Sequence, residues 1–519
     1  MVNNLFRICG CLLLLGALLA GCQPAVRSES VVTFTILHQN DVHGAILPAT
    51  VALPDGTTRQ QGGMVTLSRY LTMYRAANPG RTLFFNAGDW FQGTPEGNES
   101  RGESMVDLFN TLRLDAAAPG NHEFDFGADN FARLARQACF PVLASNLESA
   151  RTGQRPEFLP VDYWQKDIDG VRLIAFGLLT HEAATTTSGD LRRSYRVTDE
   201  VAATRLAVAA LRGKCDILIC LSHAGVDIDK ELARQFPELD LVIGGHSHTM
   251  LDTPYVEPAS GVTVAQAGGK GAMLGKLDLQ FDRTSRRIVG IAGELVPLVA
   301  DLPGLPAADP FLVARVNRWT EPVANQMAQI YGRTTVALTR SNLAAAPASS
   351  LLGNWLCDIM RAKTGAQIAF HNRAGIRADI PAGPITERHL YEVSPFGNKL
   401  AVLRLTGEQV RAVVTHALSN PRLFLDVSGL TVTVAPGAAP DAFTVRGMTV
   451  SGRALQDRQV YTVVTNDFLA DGGDGFDMFR AGSRRGPGTY QLLEVSRSAV
   501  RAVPAVTPAN DNRFVRAAQ

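Results

Sequence analysis

The sequence predicts an α/β protein in which a layered first domain is followed by a smaller α+β domain. The chain has 519 residues, whereas one hydrophobic core rarely extends beyond roughly 250 residues. In residues 31–300, and again in residues 333–500, short apolar runs alternate with segments whose apolar residues recur every three or four positions. This pattern indicates strands that alternate with helices.

Six apolar runs predict the strands of the first domain, and three periodic segments predict its helices. The predicted strands are Val31–Leu37, Leu83–Phe85, Val142–Ala144, Leu173–Leu179, Ile217–Leu221 and Leu241–Ile243, and the predicted helices are Met64–Arg75, Ala128–Ala138 and Glu200–Leu211.

The rest of the chain predicts a linker helix, a second domain and a tail. The linker comprises residues 301–332, in which a helical pattern follows a stretch rich in Pro and Asp. Second-domain helices are predicted at Leu351–Ala362 and at Glu408–Leu418, with Thr406 as the N-cap of the latter. Residues 501–519 form the tail, and we expect its polar stretch from Pro504 to Gln519 to be loose.

The composition excludes several classes of protein. Lys and Arg number 50 and Asp and Glu number 49, so the formal net charge of +1 gives no support for a nucleic-acid polymer as partner. With 46% hydrophobic and 19% charged residues, the chain suits packed cores rather than several membrane spans. Seven cysteines in a chain of this length exclude a disulfide scaffold. No feature predicts a protein partner.

The first residues predict export and a lipid anchor. Arg7 precedes the apolar run Leu12–Leu19, which small residues follow up to Cys22, and this arrangement marks a secretory signal. The Leu-Ala-Gly-Cys ending resembles a bacterial lipoprotein signal. It implies that residues 1–21 are removed, that Cys22 is acylated and that residues 22–30 form a tether. Gln23, in place of Asp, favours the outer membrane, facing the periplasm or the cell surface. An ordinary signal peptide is the alternative.

Polar residues that can bind metals follow the ends of five strands. The segments are Asp41-Val42-His43, Gly88-Asp89, Gly120-Asn121-His122-Glu123-Phe124-Asp125, Ser222-His223 and Gly245-His246-Ser247-His248. In open α/β sheets, sites assemble at the carboxyl ends of strands. Each segment alone is more often a turn or a structural histidine. Their coincidence in one domain indicates a divalent metal site, because such ions take mixed oxygen and nitrogen ligands.

In order and spacing, these segments resemble the calcineurin-like metallophosphoesterases, specifically the bacterial 5′-nucleotidase/UDP-sugar hydrolase family. The resemblance covers almost the whole mature chain and implies an αββα sandwich followed by a nucleotidase C-terminal domain. It also implies two divalent ions (Zn, Mn or Co) that share Asp89. One ion would be bound by Asp41, His43, Asp89 and His248, and the other by Asp89, Asn121, His223 and His246. Several relatives have Gln or Asn in place of His248, which concerns metal preference rather than activity.

The resemblance further implies direct hydrolysis by a hydroxide that the two metal ions generate from bound water. His122 would stabilise the departing oxygen or donate a proton to it. Asp125 would orient His122, because a carboxylate fixes the tautomer of an imidazole and raises its basicity. No serine or cysteine nucleophile is then required.

In the second domain, the resemblance implies a nucleotide clamp. Aromatic rings on loops can stack on a base, and Phe396 and Phe468 would do so. Asp474 would bind ribose hydroxyls. The base or phosphate edges would be held by Asn372, Arg377 and Asn398. The family also has arginines upstream of the segment that matches residues 352–354. Residues 343–352 carry none, and Arg340 is the candidate substitute.

Three functions follow from these residues. The first is a 5′-nucleotidase, with UDP-sugars as a further substrate class. The second is a related hydrolase on the same scaffold. A 2′,3′-cyclic-nucleotide phosphodiesterase/3′-nucleotidase is disfavoured by Asp125, where such relatives tend to have Asn, and a thiosulfohydrolase is disfavoured by the Phe pair with Asp474, because thiosulfonates have no base. The third is a non-catalytic surface binding protein, which the complete ligand set disfavours.

Overall fold

The computed structural model describes residues 30–53, 57–187, 190–340, 348–437, 443–484, 490–509, 511 and 513–517. The predicted signal peptide, the lipidation residue Cys22 and the tether up to residue 29 lie outside the described residues. Within these ranges, no helix has both the length and the apolar character that crossing a membrane requires. The four cysteines of the described ranges, Cys139, Cys215, Cys220 and Cys357, are all free thiols.

The first domain is a sandwich of two β-sheets. The strand order of the first sheet is Arg287–Pro297, Met273–Asp282, Val31–Gln39, Thr82–Ala87 and Ala116–Ala118. The last three strands of that sheet are parallel. The strand order of the second sheet is Tyr255–Val256, Thr263–Ala265, Leu241–Gly244, Ile217–His223, Val171–Leu179 and Trp164–Ile168. Its four central strands are parallel.

Helices cover the outer faces of both sheets. Leu83 and Phe85 lie in the core between the sheets, whereas Phe84 packs in the core on the outer face. Because both faces of the strand are buried, it appears in the sequence as a continuous apolar run. The helices of this domain are Met64–Ala77, Pro95–Glu99, Glu103–Leu112, Ala128–Gln137, Ala183–Thr186, Asp190–Ser194, Glu200–Leu211 and Val226–Gln235. Ala49–Ala52 and Thr58–Gln61 form a hairpin, and Leu147–Ser149 pairs in antiparallel with the distant strand Tyr195–Val197.

A single helix, Pro310–Met327, connects the two domains. Asp309 caps it by accepting a hydrogen bond from the Phe311 N–H at 2.9 Å, and Pro310 occupies the first helical position, where its missing N–H costs nothing. The helix packs on the first domain through Met64–Ala77, Pro95–Glu99 and Glu103–Leu112.

The second domain contains mixed sheets and surrounding helices. The strand order of its five-stranded sheet is Leu425–Ser428, Ile368–Asn372, Val460–Asn466, Leu400–Thr406 and Ser483–Arg484. The strand order of its four-stranded sheet is Arg453–Ala454, Phe443–Val450, Leu430–Pro436 and Phe514–Arg516. A third, two-stranded sheet pairs Ile330–Thr334 with Gly383–Thr386. Its helices are Leu351–Thr364, Glu387–Val393, Gly407–Ala417, Asp467–Ala470 and Leu492–Arg501. Thr406 caps Gly407–Ala417 in a capping box with Gln409.

Residues 142–144 do not form the predicted strand. The Leu143 N–H donates to the Ala117 carbonyl in the first sheet, and the Ser145 N–H donates to the Gly177 carbonyl in the second, each at 2.8 Å. The segment therefore crosses from one sheet to the other within three residues, which leaves no length for a ladder.

Contrary to the prediction of a loose tail, residues 513–516 pack against the second domain. Phe514–Arg516 pairs in parallel with Leu430–Pro436. The buried Arg513 donates to the Val427 carbonyl at 2.6 Å. A strand of three residues is too short to stand out in the sequence.

Candidate active site

The five polar segments meet at one edge of the sandwich. Val31–Gln39, Thr82–Ala87 and Ala116–Ala118 run parallel in one sheet, and Ile217–His223 and Leu241–Gly244 run parallel in the other. Each polar segment lies at the carboxyl end of its strand, so side chains from both sheets converge there.

Asp41, His43, Asp89 and His248 form one group. One ligand atom from each residue lies within 4.8 Å of the others. Nε2 of His248 is 3.2 Å from Oδ1 of Asp41 and 3.0 Å from Nε2 of His43. Nε2 of His43 is 3.7 Å from Oδ2 of Asp89. Two carboxylates and two imidazoles at these distances fit a divalent cation.

Asp89 also belongs to a second group, with Asn121, His223 and His246. Oδ2 of Asp89 is 3.3 Å from Nε2 of His223, and Oδ1 of Asn121 is 3.1 Å from Nδ1 of His246. Such separations are expected between ligands of one ion whose bonds are about 2.0–2.2 Å long. Asp89 therefore lies between the two groups.

The backbone of these segments is strained. Five of the seven predicted metal ligands have left-handed φ angles between 50° and 70°: Asp41, His43, Asp89, His246 and His248. Each such conformation costs of order 1–3 kcal/mol and persists only where the surroundings enforce it. Part of the enforcement comes from backbone bonds between segments, since the Asp41 N–H donates to the Gly88 carbonyl and the His43 N–H to the Asp89 carbonyl, both at 2.9 Å.

Backbone carbonyls orient two of the imidazoles. Nδ1 of His43 lies 2.7 Å from the Gln92 oxygen, and Nδ1 of His223 lies 2.6 Å from the Ala87 oxygen. Because a carbonyl oxygen only accepts, Nδ1 carries a proton in both rings, and Nε2 is the nitrogen left to bind an ion. Nε2 of His223 is buried, with no hydrogen-bond partner among the described residues, which suits a metal ligand.

The charges of the site favour cations. Burial raises the pKa of Asp89, but the imidazoles of His223 and His122 lower it well below its ordinary value. Burial lowers the pKa of His223, but Asp89 raises it to about 10, so an ion that binds Nε2 would displace a proton. Burial and Arg377 lower the pKa of His43 well below its usual range, which keeps that ring neutral. The donor set, the lone pairs and the buried negative charge together fit divalent metal ions.

His122 and Asp125 lie beside the two groups. Asn121–Phe124 form a 3₁₀ helix, which brings Oδ2 of Asp125 to 2.6 Å from Nδ1 of His122. The backbone N–H of His122 donates to Oδ1 of Asp89 at 3.0 Å. Burial lowers the pKa of His122, but the Asp125 and Asp89 carboxylates raise it above its ordinary value.

Glu123 organises two of the ligand segments. Its Oε2 accepts hydrogen bonds from the N–H groups of Asp89 at 2.9 Å and Gly120 at 2.6 Å, and its Oε1 accepts one from Trp90 at 2.7 Å. The side chain is fully buried. The motif assigns it no role, because two of its donors lie more than thirty residues away in the chain.

Glu182 is a second residue that the motifs omit. It follows the strand Val171–Leu179, and its Oε2 lies 3.2 Å from Nε2 of His246. This strand is parallel to Ile217–His223, so the search of strand ends that identified the ligands would also have found Glu182.

Two predicted substrate-binding residues of the second domain reach this edge. Nη2 of Arg377 lies 3.0 Å from Nε2 of His43. The Phe396 ring stacks on His122, with centroids 5.8 Å apart and planes inclined by 27°. Both side chains therefore border the metal-binding groups.

Three other predicted substrate-binding residues form hydrogen bonds within the second domain. Asn372 donates from Nδ2 to Oδ2 of Asp474 at 3.0 Å and accepts at Oδ1 from Asn466 at 2.9 Å. Burial raises the pKa of Asp474 to about 6. Asn398 donates to Asp467 at 3.1 Å.

Phe468 and Arg340 are both held by their neighbours. The Phe468 ring lies over Gly473 so closely that a Cβ at that glycine would be 2.4 Å from a ring carbon. Arg340 donates from Nε to Asp379 at 3.2 Å and from Nη1 to the Ile376 carbonyl at 3.2 Å. Arg340 thus supports the backbone next to Arg377.

Family models match most of the chain. Residues 34–250 match the calcineurin-like phosphoesterase model, and residues 330–481 match the model of the 5′-nucleotidase C-terminal domain. Among solved structures, a 5′-nucleotidase precursor from Thermus thermophilus is similar with a TM-score of 0.85 and 30% identity, over 93% of this chain and 99% of that chain. The chain belongs to the 5′-nucleotidase family.

Two further proteins are similar to this chain along most of its length. A 5′-nucleotidase of Diplobatis ommata is 28% identical over 527 residues, which are 93% of this chain and 89% of that protein. The sulfate thiohydrolase SoxB of Thermus thermophilus has a TM-score of 0.79 at 19% identity, over 93% of this chain and 97% of that chain, a likeness of fold alone. The predicted metallophosphoesterase sandwich with a nucleotidase C-terminal domain is confirmed. This member of the 5′-nucleotidase family is a metal-dependent phosphomonoester hydrolase.

Proposed function

We propose that this family member is a 5′-nucleotidase that releases phosphate from nucleoside 5′-monophosphates. One observation carries the proposal: Arg377 and Phe396 of the second domain contact His43 and His122 of the first. A phosphate at the metal centre and a base held by the second domain can therefore belong to the same small molecule.

The proposed centre holds two divalent ions, with Asp89 shared between them. Asp41, His43 and His248 complete one ligand set, and Asn121, His223 and His246 complete the other. The mixed nitrogen and oxygen ligands suit Zn, Mn or Co. When bound, such ions stabilise phosphoryl oxygens and activate the attacking water.

The chain's own residues would orient the ester and protonate the leaving group. Because Nδ1 of His122 donates to Asp125, its Nε2 is the nitrogen available to the leaving oxygen. Asp125 stabilises the imidazolium that donates the proton. The Arg377 guanidinium can donate two parallel hydrogen bonds to phosphoryl oxygens.

The proposed clamp selects nucleotides over simple phosphate esters. Phe396 and Phe468 would stack on the base, Asp474 would accept hydrogen bonds from ribose hydroxyls, and Asn372 and Asn398 would hold polar edges. The Asn372–Asp474 bond supports this role, since it fixes the carboxylate in advance.

We also propose that the enzyme is exported and anchored by acylated Cys22 to the outer membrane, facing the periplasm or the cell surface. The support is the sequence from Leu19 to Cys22 after the short apolar segment. Stable anchoring needs more than one acyl chain, which this type of modification supplies.

Phe468→Ala tests the nucleotide clamp. Base–aromatic stacking is worth about 1–3 kcal/mol, so we expect kcat/KM for AMP to fall roughly 5- to 150-fold. Hydrolysis of p-nitrophenyl phosphate, which has no base, should be nearly unchanged. Phe396→Ala discriminates less well, because Phe396 also stacks on His122. The matched control is Phe311→Ala on the linker helix, where Phe311 is 58% exposed.

The wild-type protein should hydrolyse AMP faster than a 2′,3′-cyclic nucleotide, UDP-glucose or a thiosulfonate. The products to be measured are phosphate from AMP, the ring-opened nucleotide, UMP and sulfate, respectively. A preference for the cyclic nucleotide or the thiosulfonate would contradict the proposal. No turnover of any of these with Zn, Mn or Co would point to a binding protein. Equal losses of Phe468→Ala on AMP and on p-nitrophenyl phosphate would refute the clamp.

A further inference from the structure

Glu182 lies at the end of a strand whose neighbours carry the proposed metal ligands. Its N–H donates to Oγ1 of Thr180 at 3.2 Å. Its carbonyl accepts hydrogen bonds from the N–H groups of Thr185 at 2.7 Å and Thr186 at 2.9 Å. The backbone of Glu182 is therefore fixed by the turn that starts the helix Ala183–Thr186, and the side chain extends from it to His246.

His246 differs from the buried imidazoles of His43 and His223 in the nitrogen that it presents. In His43 and His223, Nδ1 faces a backbone carbonyl and Nε2 faces the metal-binding groups. In His246, Nδ1 lies 3.1 Å from Oδ1 of Asn121, and Nε2 lies 3.2 Å from Oε2 of Glu182. The proposed ligand atom of His246 is therefore Nδ1.

This orientation makes the tautomer of His246 decisive. With the proton on Nδ1, the ring would donate to the Asn121 oxygen, and neither atom could then bind an ion well. With the proton on Nε2, Nδ1 presents a lone pair beside the Asn121 oxygen. An ionised carboxylate only accepts hydrogen bonds, so Glu182 stabilises the second tautomer.

We propose that Glu182 is a positioning residue of the metal centre, which accepts the Nε2 proton of His246 and thereby leaves Nδ1 free to bind the second ion. The inference rests on the two-ion centre of the proposed function. A carboxylate partner also raises the basicity of a ligating imidazole. Among the residues that the structure describes, Glu182 contacts no proposed ligand atom, so it acts only through His246.

The test compares Mn²⁺ binding by the metal-stripped mature protein and its variants in the absence of nucleotide. Removing such a partner typically costs about 10- to 100-fold in metal affinity. We expect Glu182→Ala to weaken one of two Mn²⁺ sites by about that factor and to leave the other unchanged. Glu182→Gln keeps an oxygen acceptor and should recover part of the affinity, and excess Mn²⁺ should restore the kcat of both variants.

His181→Ala is the matched control, because His181 is adjacent and 58% exposed and pairs with Glu200 at 2.9 Å. It should leave both Mn²⁺ affinities unchanged. Unchanged affinities in Glu182→Ala, or an equal loss at both sites, would overturn the assignment. So would equal affinities of Glu182→Gln and Glu182→Ala. Because binding is measured without substrate, failure here is distinguishable from failure of the proposed function, which appears only in phosphate release.

Discussion

The buried carboxylate of Glu123 should determine how firmly the shared ligand Asp89 is held. Asp89 has a φ of 55°, and its N–H donates to Oε2 of Glu123 at 2.9 Å. Oε2 accepts a second bond from Gly120, and Oε1 accepts one from Trp90. Glu123 therefore joins the segment that carries Asp89 to the segment that carries Asn121.

Glu123→Gln removes one acceptor while preserving the shape of the side chain. If the amide oxygen takes the place of Oε2, the amide NH₂ faces the Trp90 N–H, and two donors then oppose each other. Burial and the charge of Asp89 raise the pKa of Glu123 to about 8, so its hydrogen bonds are taken at the ordinary value of about 0.5–1.5 kcal/mol. An unsatisfied buried donor costs about 1–3 kcal/mol. We therefore expect the free energy of unfolding to fall by roughly 1.5–4.5 kcal/mol. Glu123→Ala would leave three donors unsatisfied, a loss comparable with the whole stability of many domains.

Calorimetry and metal binding measure this effect. A loss of about 2 kcal/mol lowers the melting temperature by about 4–8 °C in a domain of this size. The affinity for metal ions should fall as well, because Asp89 is no longer fixed. Glu103→Gln is the control, since Glu103 is 45% exposed and forms a surface ion pair of the kind that typically contributes little. If Glu123→Gln matched this control in melting temperature and in metal affinity, the reasoning would be refuted.

Two further predictions concern proton transfer and the anchor. Asp125→Asn removes the charge that stabilises the His122 imidazolium, so kcat for AMP should fall by about 10²-fold or more. The content of metal ions, measured by mass spectrometry, should stay constant. An unchanged kcat would argue against the pairing of His122 with Asp125 in catalysis. Cys22→Ser should abolish labelling of the cellular protein by a radioactive fatty acid and move the enzyme from the membrane fraction to the soluble fraction, and persistent labelling would contradict lipidation at that residue.

The sequence predicts those parts of the fold that depend on a continuous local pattern. Leu173–Leu179 and Ile217–Leu221 are visible because strands buried on both faces have no polar positions. Residues 142–144 have the same composition, yet their hydrogen bonds are divided between two sheets. Apolar character reveals burial in such a short run but not which partner accepts its hydrogen bonds.

The sequence likewise predicts only some features of the candidate site. The types of ligand and their positions after strands are visible in the sequence, because parallel strands bring their carboxyl ends together. The roles of Glu123 and Glu182 depend on contacts with residues 34 and 64 positions away. The nitrogen that His246 presents depends on Asn121 and Glu182 together. Such contacts leave no periodic pattern along the chain.

The two domains contact each other beside Arg377 and Phe396, two residues of the proposed substrate site. Nδ2 of Asn98 donates to the Pro395 carbonyl at 3.0 Å, directly before Phe396. Nζ of Lys270 donates to the carbonyl of Arg377 at 2.7 Å. Each bond therefore ties the first domain to the backbone beside a residue that borders the metal-binding groups. Polar contacts of this kind can break and reform as domains move, so the positions of Arg377 and Phe396 at the centre are set by the first domain's surface as much as by the second domain's fold.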